Sequence, residues 1–250
     1  MRFEKKTALV TGASSGMGNL ICKCVAAEGG NVVLADVNPQ TLEQAVAEIN
    51  AAHPGKAAGV VCDVRDYEQV CRARDEAVRT FGGIDILVTM AGGAETRMCG
   101  VPGLEFPDVP IEVYDWGLDV NLKGQFYFAH AVAAQMRKQQ RGVIILVGSI
   151  TGEEGDPVNV AYSTSKSAAM NGMVKSIARF GAPYGIRCCC VSPGPVLTRA
   201  AMSQMKTLLG RAAEPQELVD LILYLCSEQG AFITGTNILM DGGRNAMGRV

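Results

Sequence analysis

The sequence predicts a single α/β domain: a doubly wound sheet of seven parallel strands with helices on both faces. Three observations predict it. Short apolar runs alternate with segments of helical period along the whole chain. The apolar runs are rich in β-branched residues and show little polar alternation, as in strands covered on both sides. No repeat, linker or charge block divides the 250 residues, a length that one α/β domain can fill.

The elements follow in order. A strand is expected at Thr7–Val10, then a glycine-rich turn, then a helix over Gly16–Glu28. Strands at Asn31–Ala35 and Ala57–Cys62 flank a helix at Pro39–Ala52. A helix at Asp66–Thr80 precedes the strand Ile84–Met90, and a long helical pattern fills Ile111–Gln139. The strand Gly142–Gly148, the helix Val160–Phe180 and the strand Arg187–Val191 come next. The helix Glu214–Cys226 and the strand Thr236–Met240 close the pattern. Two segments read as inserted loops, proline-rich Gly93–Pro110 and Ile150–Asn159. Both follow strand ends, where open α/β sheets bind ligands. The domain spans 1–250, with a nucleotide half over about 1–92 and a catalytic and substrate half over about 93–250.

Composition narrows the function. The 23 basic and 25 acidic side chains leave a formal net charge of −2, too balanced for a nucleic-acid or membrane-surface binder. Apolar runs such as Gly142–Val147 are of strand length, so no membrane span is expected. Met1–Lys6 carries no signal-peptide core. The nine cysteines include no C-x-x-C pair, and neither His53 nor His130 stands near a cysteine cluster. A disulfide framework and a metal site are therefore not expected, and reduced, buried cysteines fit a cytoplasmic protein. Cys188, Cys189 and Cys190 fall in one strand and should alternate faces.

The first strand runs straight into Thr11-Gly12-Ala13-Ser14-Ser15-Gly16-Met17-Gly18. Glycines there let the backbone turn sharply and approach a pyrophosphate seated on the helix N-terminus. Asp36, 18 residues after Gly18, closes the next strand and suits the adenosine ribose hydroxyls. Its charge would repel a 2′-phosphate. No Arg or Lys lies in the turn or within three residues after Asp36, so NAD is expected rather than NADP.

Tyr162 and Lys166 stand one helical turn apart, about 6 Å along the axis, on one face. A phenol with a reference pKa of about 10 is a poor base near neutrality. A nearby ammonium and an oxidised nicotinamide would favour the phenolate. Ser149 follows a strand end, where its hydroxyl could donate to a developing alkoxide. Asn121 sits inside a helical pattern that asparagine disfavours. Each has an ordinary structural explanation alone; their joint occurrence carries the weight.

Over essentially its full length the chain resembles the short-chain dehydrogenase/reductase family. The matching residues are Thr11-Gly12-x-x-x-Gly16-x-Gly18, Asp36, Asp63-Val64, Ala91-Gly92, Asn121, Ser149, Tyr162-x-x-x-Lys166 and Pro193-Gly194-Pro195-Val196-x-Thr198. The resemblance implies a Rossmann-type seven-stranded sheet and a homotetramer or dimer. It implies a catalytic tetrad of Asn121, Ser149, Tyr162 and Lys166: Tyr162 as acid/base, Lys166 on the nicotinamide ribose, Ser149 on the substrate oxygen, Asn121 holding a relay water. The cofactor would be lined by Gly12, Ser14, Ser15, Gly16, Met17, Gly18, Asp36, Val37, Tyr162 and Lys166. Asp63 and Val64 would meet the adenine, Ala91 and Gly92 the adenosine ribose, and Pro193, Gly194, Val196 and Thr198 the nicotinamide.

Two departures stand out. The family's Asn-Asn-Ala-Gly reads Thr89-Met90-Ala91-Gly92, and Met90 cannot make the expected amide bonds. The segment between Gly92 and Asn121 reads longer, and the lid from Thr198 to Arg211 shorter, than in carrier-protein-linked ketoreductases. The expected reaction is NAD-linked exchange of a hydride with a secondary alcohol or ketone. Glu95, Arg97, Glu153, Glu154 and Asp156 offer contacts for a sugar or polyol, or form a solvated rim. Leu197, Met202, Met205, Leu208 and Leu209 suit a steroid-like ring, or pack the lid. The competing readings are a 3-oxoacyl-acyl-carrier-protein reductase and a non-catalytic NAD-binding regulator.

Overall fold

A computed structural model describes residues 1–247. Seven parallel strands form one sheet in the order β3-β2-β1-β4-β5-β6-β7. They are β1 (Thr7–Thr11), β2 (Asn31–Asp36), β3 (Ala57–Val61), β4 (Ile86–Thr89), β5 (Gly142–Val147), β6 (Ile186–Pro193) and β7 (Thr236–Met240). Strand order reverses between β1 and β4, the switch point where doubly wound sheets open a crevice beyond their carboxyl ends. The expected strands are all present. β4 is trimmed from Ile84–Met90 and β6 lengthened from Arg187–Val191, because apolar content does not mark where a ladder begins.

The five inner strands are buried on both faces, as their polar-poor sequences require, while the edge strands β3 and β7 stay partly exposed. One face packs Ala8, Val10, Val32, Leu34 and Cys189 against α1 (Gly16–Ala27), α2 (Pro39–Ala52) and α10 (Pro215–Cys226). The other packs Leu9, Val33, Cys188 and Cys190 against α3 (Tyr67–Phe81), α6 (Gly124–Gln139) and α9 (Val174–Gly181). The three consecutive cysteines thus alternate faces as expected, and burial pushes their thiols up.

Local signals set the helix starts. Asn38 Oδ1 accepts from the Gln40 and Thr41 amides at 3.1 Å, with Pro39 opening α2. Asp66 caps α3 in the same way, from Glu68 at 2.9 Å and Gln69 at 3.1 Å. Glu217 reaches back 2.8 Å to the Glu214 amide ahead of α10.

The long helix expected over Ile111–Gln139 is α5 (Ile111–Leu118) joined to α6 by a π-helical turn, Asp119–Lys123. That expected over Val160–Phe180 is α8 (Val160–Ala168), a second π turn at Ala169–Met173, and α9. Periodicity cannot reveal such turns, because one extra residue leaves both apolar stripes continuous. The inserted loops are also more ordered than their composition suggests. They hold the short helices α4 (Glu95–Met98) and α7 (Thr151–Glu154). Val109, Val113, Tyr114 and Ala161 form a small third core that fixes the first loop to α5 and α8.

Candidate active site

The crevice lies above the carboxyl ends of β1, β4, β5 and β6. On the nucleotide side, Gly12 has φ +61°, and a Cβ there would stand 2.9 Å from Ala91 Cα. A Cβ at Gly18 would strike the Gly12 carbonyl oxygen at 2.3 Å, so α1 approaches the turn as closely as it does only because that residue is glycine. Gly16 has φ +54° with open space over it, where a ligand can meet bare backbone at the helix start. A cleft of about 340 Å³ beside the turn is lined by Gly12, Ser15, Asp36, Val37, Asp63, Val64, Ala91 and Gly92. A second hollow of about 350 Å³ is lined by Gly16, Met17 and Thr198. Together they make a path along both sides of the glycine turn, and a dinucleotide fits its donors and its bare backbone.

Asp36 lines the cleft and also fastens it. Its Oδ2 accepts from the Ser14 amide at 3.0 Å and its Oδ1 from the Asn38 amide at 3.1 Å. Asp63 is less free than its assignment to adenine implies. Arg65 grips both its oxygens, at 2.7–3.0 Å, and holds its carboxyl below the usual range. Arg65 is the cation the sequence argument missed, since it enters the cleft from beyond β3. Pro193 ends β6, and a Cβ at Gly194 would meet Asp241 Cα at 2.7 Å. Val196 bridges to Ala213 and accepts from the Thr198 amide at 2.6 Å, which turns the chain toward α1.

On the catalytic side, α8 carries Tyr162 and Lys166 across the end of β5. Lys166 is buried, and its Nζ donates to the Val147 carbonyl at 2.8 Å. Burial pushes its ammonium down to about 8. Burial likewise pushes the Tyr162 phenol up. The Ser149 hydroxyl beside it favours the phenolate, as do Arg199 and Arg97, while Glu95 opposes it. The Lys166 ammonium faces the Val147 carbonyl and stands 5.4 Å from the centroid of the Tyr162 ring. Ser149 Oγ also lies 2.6 Å from Thr151 Oγ1.

Asn121 has its reason for standing in a helix. The π turn frees the Gly117 carbonyl, and Asn121 Nδ2 donates to it at 2.9 Å and to the Gly93 carbonyl at 2.9 Å. Its Oδ1 accepts from the Gly93 amide at 2.9 Å. Its side chain thus fixes the loop that follows β4. Gln125, which sequence reasoning missed, ties the end of β4 to β5 and to the π turn. It accepts from Thr89 Oγ1 at 2.8 Å, donates to the Asn121 carbonyl at 2.7 Å and meets Val147 N and O at 3.3 Å.

Of the five charges read as sugar contacts or a solvated rim, Arg97, Glu153 and Glu154 are exposed and Asp156 is half-buried, while Glu95 departs from both readings. Glu95 is fully buried. Glu154 pairs with Arg244 at 2.7 Å, and Asp156 accepts from the Val158 and Asn159 amides at 2.9 and 2.8 Å. Burial was not legible from these charges, and the spacing of Asp156 and Asn159 was the one signal for a folded loop. Among the described residues no group of three or more His, Cys, Asp or Glu side chains could hold a metal, and no helix is long and apolar enough to cross a membrane.

A family model described as enoyl-(acyl carrier protein) reductase matches residues 12–245. The 3-oxoacyl-[acyl-carrier-protein] reductase FabG of Thermotoga maritima is 33% identical over 256 residues, covering 97% of this chain and 99% of that protein. A short-chain type dehydrogenase/reductase from Mycobacterium marinum superposes with a TM-score of 0.87 at 35% identity, over 97% of this chain and 96% of that one. The chain belongs to the short-chain dehydrogenase/reductase family. An NAD+-bound xylitol dehydrogenase of the same fold superposes with a TM-score of 0.87 at 28% identity, over 97% of this chain and 100% of that one. This short-chain dehydrogenase/reductase is accordingly an oxidoreductase of alcohols and carbonyl compounds. Members of this family bind a nicotinamide cofactor, and the crevice over β1 and β4 lies at the switch point of the sheet.

Proposed function

We propose that the protein catalyses reversible, NAD-linked oxidation of a secondary alcohol to a ketone, with Tyr162 as the acid/base. One observation carries the reading. Tyr162, Ser149 and Lys166 converge on the end of β5, next to the crevice above the glycine turn. When bound, the nicotinamide supplies the hydride acceptor. Tyr162 Oη takes the hydroxyl proton, the Ser149 hydroxyl donates to the substrate oxygen, and Lys166 reaches toward the nicotinamide ribose. Asn121 shapes this side of the crevice through Gly93. The halves divide near Gly92, nucleotide before and catalytic after.

Asp36 supports NAD over NADP, because a carboxylate beside the ribose repels a 2′-phosphate and the nearby Arg65 is committed to Asp63. The likeness to an NAD+-bound xylitol dehydrogenase points the same way. Three of the carboxylates offered to a polyol are otherwise engaged, which weighs against a sugar. The exposed lid residues Leu197 and Leu208 support an apolar ring alcohol. The likeness to FabG favours a 3-oxoacyl-carrier-protein reductase as the second reading, and Asp36 opposes it. The reading includes a cytoplasmic homotetramer or dimer, supported by an exposed apolar groove on α6 and α9 lined by Phe126, Ile177 and Phe180.

The test is thermal stabilisation by NADH and by NADPH, followed by a panel of secondary alcohols assayed for NADH production. NADH is expected to stabilise and ring alcohols to turn over. Tyr162→Phe should lose about 10³-fold in turnover and still bind NADH. Stabilisation by NADPH alone overturns the NAD assignment, and near-normal turnover by Tyr162→Phe overturns the mechanism.

A further inference from the structure

Glu95 is a fully buried carboxylate, and no cation lies within bonding distance among the described residues. Its Oε1 accepts from the Ala161 amide at 2.9 Å and its Oε2 from the Tyr162 amide at 3.1 Å. These are second- and third-position amides of α8, which a local cap would ordinarily satisfy. Asn159, the residue at that cap position, makes no such bond. Its Oδ1 instead accepts from Thr96 Oγ1 at 2.7 Å, and its Nδ2 donates to Asp156 at 3.1 Å. The catalytic helix is therefore capped from a distant loop.

That loop is anchored at its other end. Two residues before Glu95, Gly93 is held through both its amide and its carbonyl by Asn121. Gly117, whose carbonyl also serves Asn121, packs so closely that a Cβ there would lie 3.0 Å from both Glu95 Cβ and Ala161 Cβ. Gly93–Thr96 thus links the Asn121 turn to the first turn of α8.

We infer that Glu95 is a positioning residue, tying the loop after β4 to the catalytic helix and so setting where the Tyr162 phenol stands. This rests on Tyr162 being the acid/base. Burial pushes the Glu95 carboxyl up, and against it both oxygens accept from N–H groups at the positive end of a helix, which favour the ionised form. Its negative charge then opposes the phenolate. The groups facing Tyr162 from other elements are the Ser149 hydroxyl, Arg97 and Arg199, with Lys166 on its own helix. The neighbours of Glu95 are Asp156, Cys99 and Tyr114. Removing the Glu95 charge leaves the two arginines unopposed, so the phenol becomes more acidic.

The experiment uses Glu95→Gln and Glu95→Asp in the full chain. Tyr162 ionisation is read without turnover, as the near-ultraviolet difference between each protein and its Tyr162→Phe counterpart across pH. The pH profile of kcat/KM for alcohol oxidation is measured beside it. Glu95→Gln should bind NADH normally and lose about tenfold in kcat, more than in KM. Its phenol titration and the acid limb of its profile should both move to lower pH, because the phenolate is the base. Glu95→Asp should restore the titration while losing several-fold in kcat. A kcat loss with both curves in place would make Glu95 a structural cap only and overturn the proposal. So would wild-type kcat in Glu95→Asp, the variant that decides should Glu95→Gln not fold. Turnover surviving in Tyr162→Phe would instead remove the acid/base reading, and the optical titration would still report on Glu95.

Discussion

Lys166 Nζ stands 5.4 Å from the centroid of the Tyr162 ring, yet its hydrogen bond goes to the Val147 carbonyl, 2.8 Å away. Lys166 is buried and Tyr162 half-buried, and desolvation drives both toward their neutral forms. A helix one turn long between them brings the pair together. The end of β5 then decides which partner the lysine takes.

Stability should carry the mark of that buried lysine. Its folded value is about 8 against an ordinary 10.5. Below pH 8 both states hold the proton and the burial cost is full. Between pH 8 and 10.5 the unfolded chain keeps a proton that the folded chain has released, so this contribution to stability rises with pH. The shift corresponds to about 3 kcal/mol, from which the lost bond to Val147 subtracts about 1 in a methionine variant. Lys166→Met without cofactor should therefore be more stable than wild type at pH 7, by about 2 kcal/mol, and the gap should close toward pH 10. Urea unfolding of both proteins at pH 7 and pH 10 measures it. A gap that is constant with pH, or of opposite sign, shows that Lys166 is not desolvated.

Cofactor choice should turn on Asp36. Asp36→Ala removes a charge beside the ribose site and the acceptor that holds the Ser14 amide 3.0 Å away. NADH affinity should fall about tenfold, as expected for a lost charge-assisted bond. NADPH affinity should rise, since the repulsion has gone. Fluorescence titration with both cofactors reads the ratio. An unchanged ratio means that the 2′ position faces some other group, with Arg65 the first to examine.

The sheet was legible in the chain because its signal is redundant: the inner strands are apolar on both faces and the helices between them repeat an apolar stripe. The glycine turn was legible because Gly12 and Gly18 have no sterically acceptable substitute. Tyr162 and Lys166 were legible as a pair because one helix holds both. Glu95, Gln125 and Arg65 were not, since each acts through residues 22 to 67 positions away or through a pairing that spacing does not reveal. Glu95 reads as a rim charge until α8 is seen ending on it, and Gln125 reads as a helix-surface amide until β4 and β5 are seen on either side. Asp63 was placed at the adenine by likeness, and only the fold shows Arg65 on its carboxylate.

Gln125 offers the sharpest check on how the site is built. Buried at the junction of β4, β5 and the π turn, it satisfies the Thr89 hydroxyl and the Asn121 carbonyl and touches the Val147 peptide that holds Lys166. Gln125→Leu keeps the volume, takes the side-chain donor from the Asn121 carbonyl and leaves the Thr89 hydroxyl only its 3.4 Å bond to Ile145, at a cost of about 2–4 kcal/mol. For a chain of this length that is a fall in Tm of roughly 4–16 °C. Activity should fall further than stability explains, because the Val147 carbonyl is then free to shift and Lys166 with it. Gln125→Glu separates the two effects: it can still accept from Thr89 and cannot donate to Asn121, so its Tm should lie at or below that of the leucine variant at neutral pH. Calorimetry with NADH titration on both variants supplies the comparison. A leucine variant as stable and active as wild type would mean that the ends of β4 and β5 hold their places without Gln125.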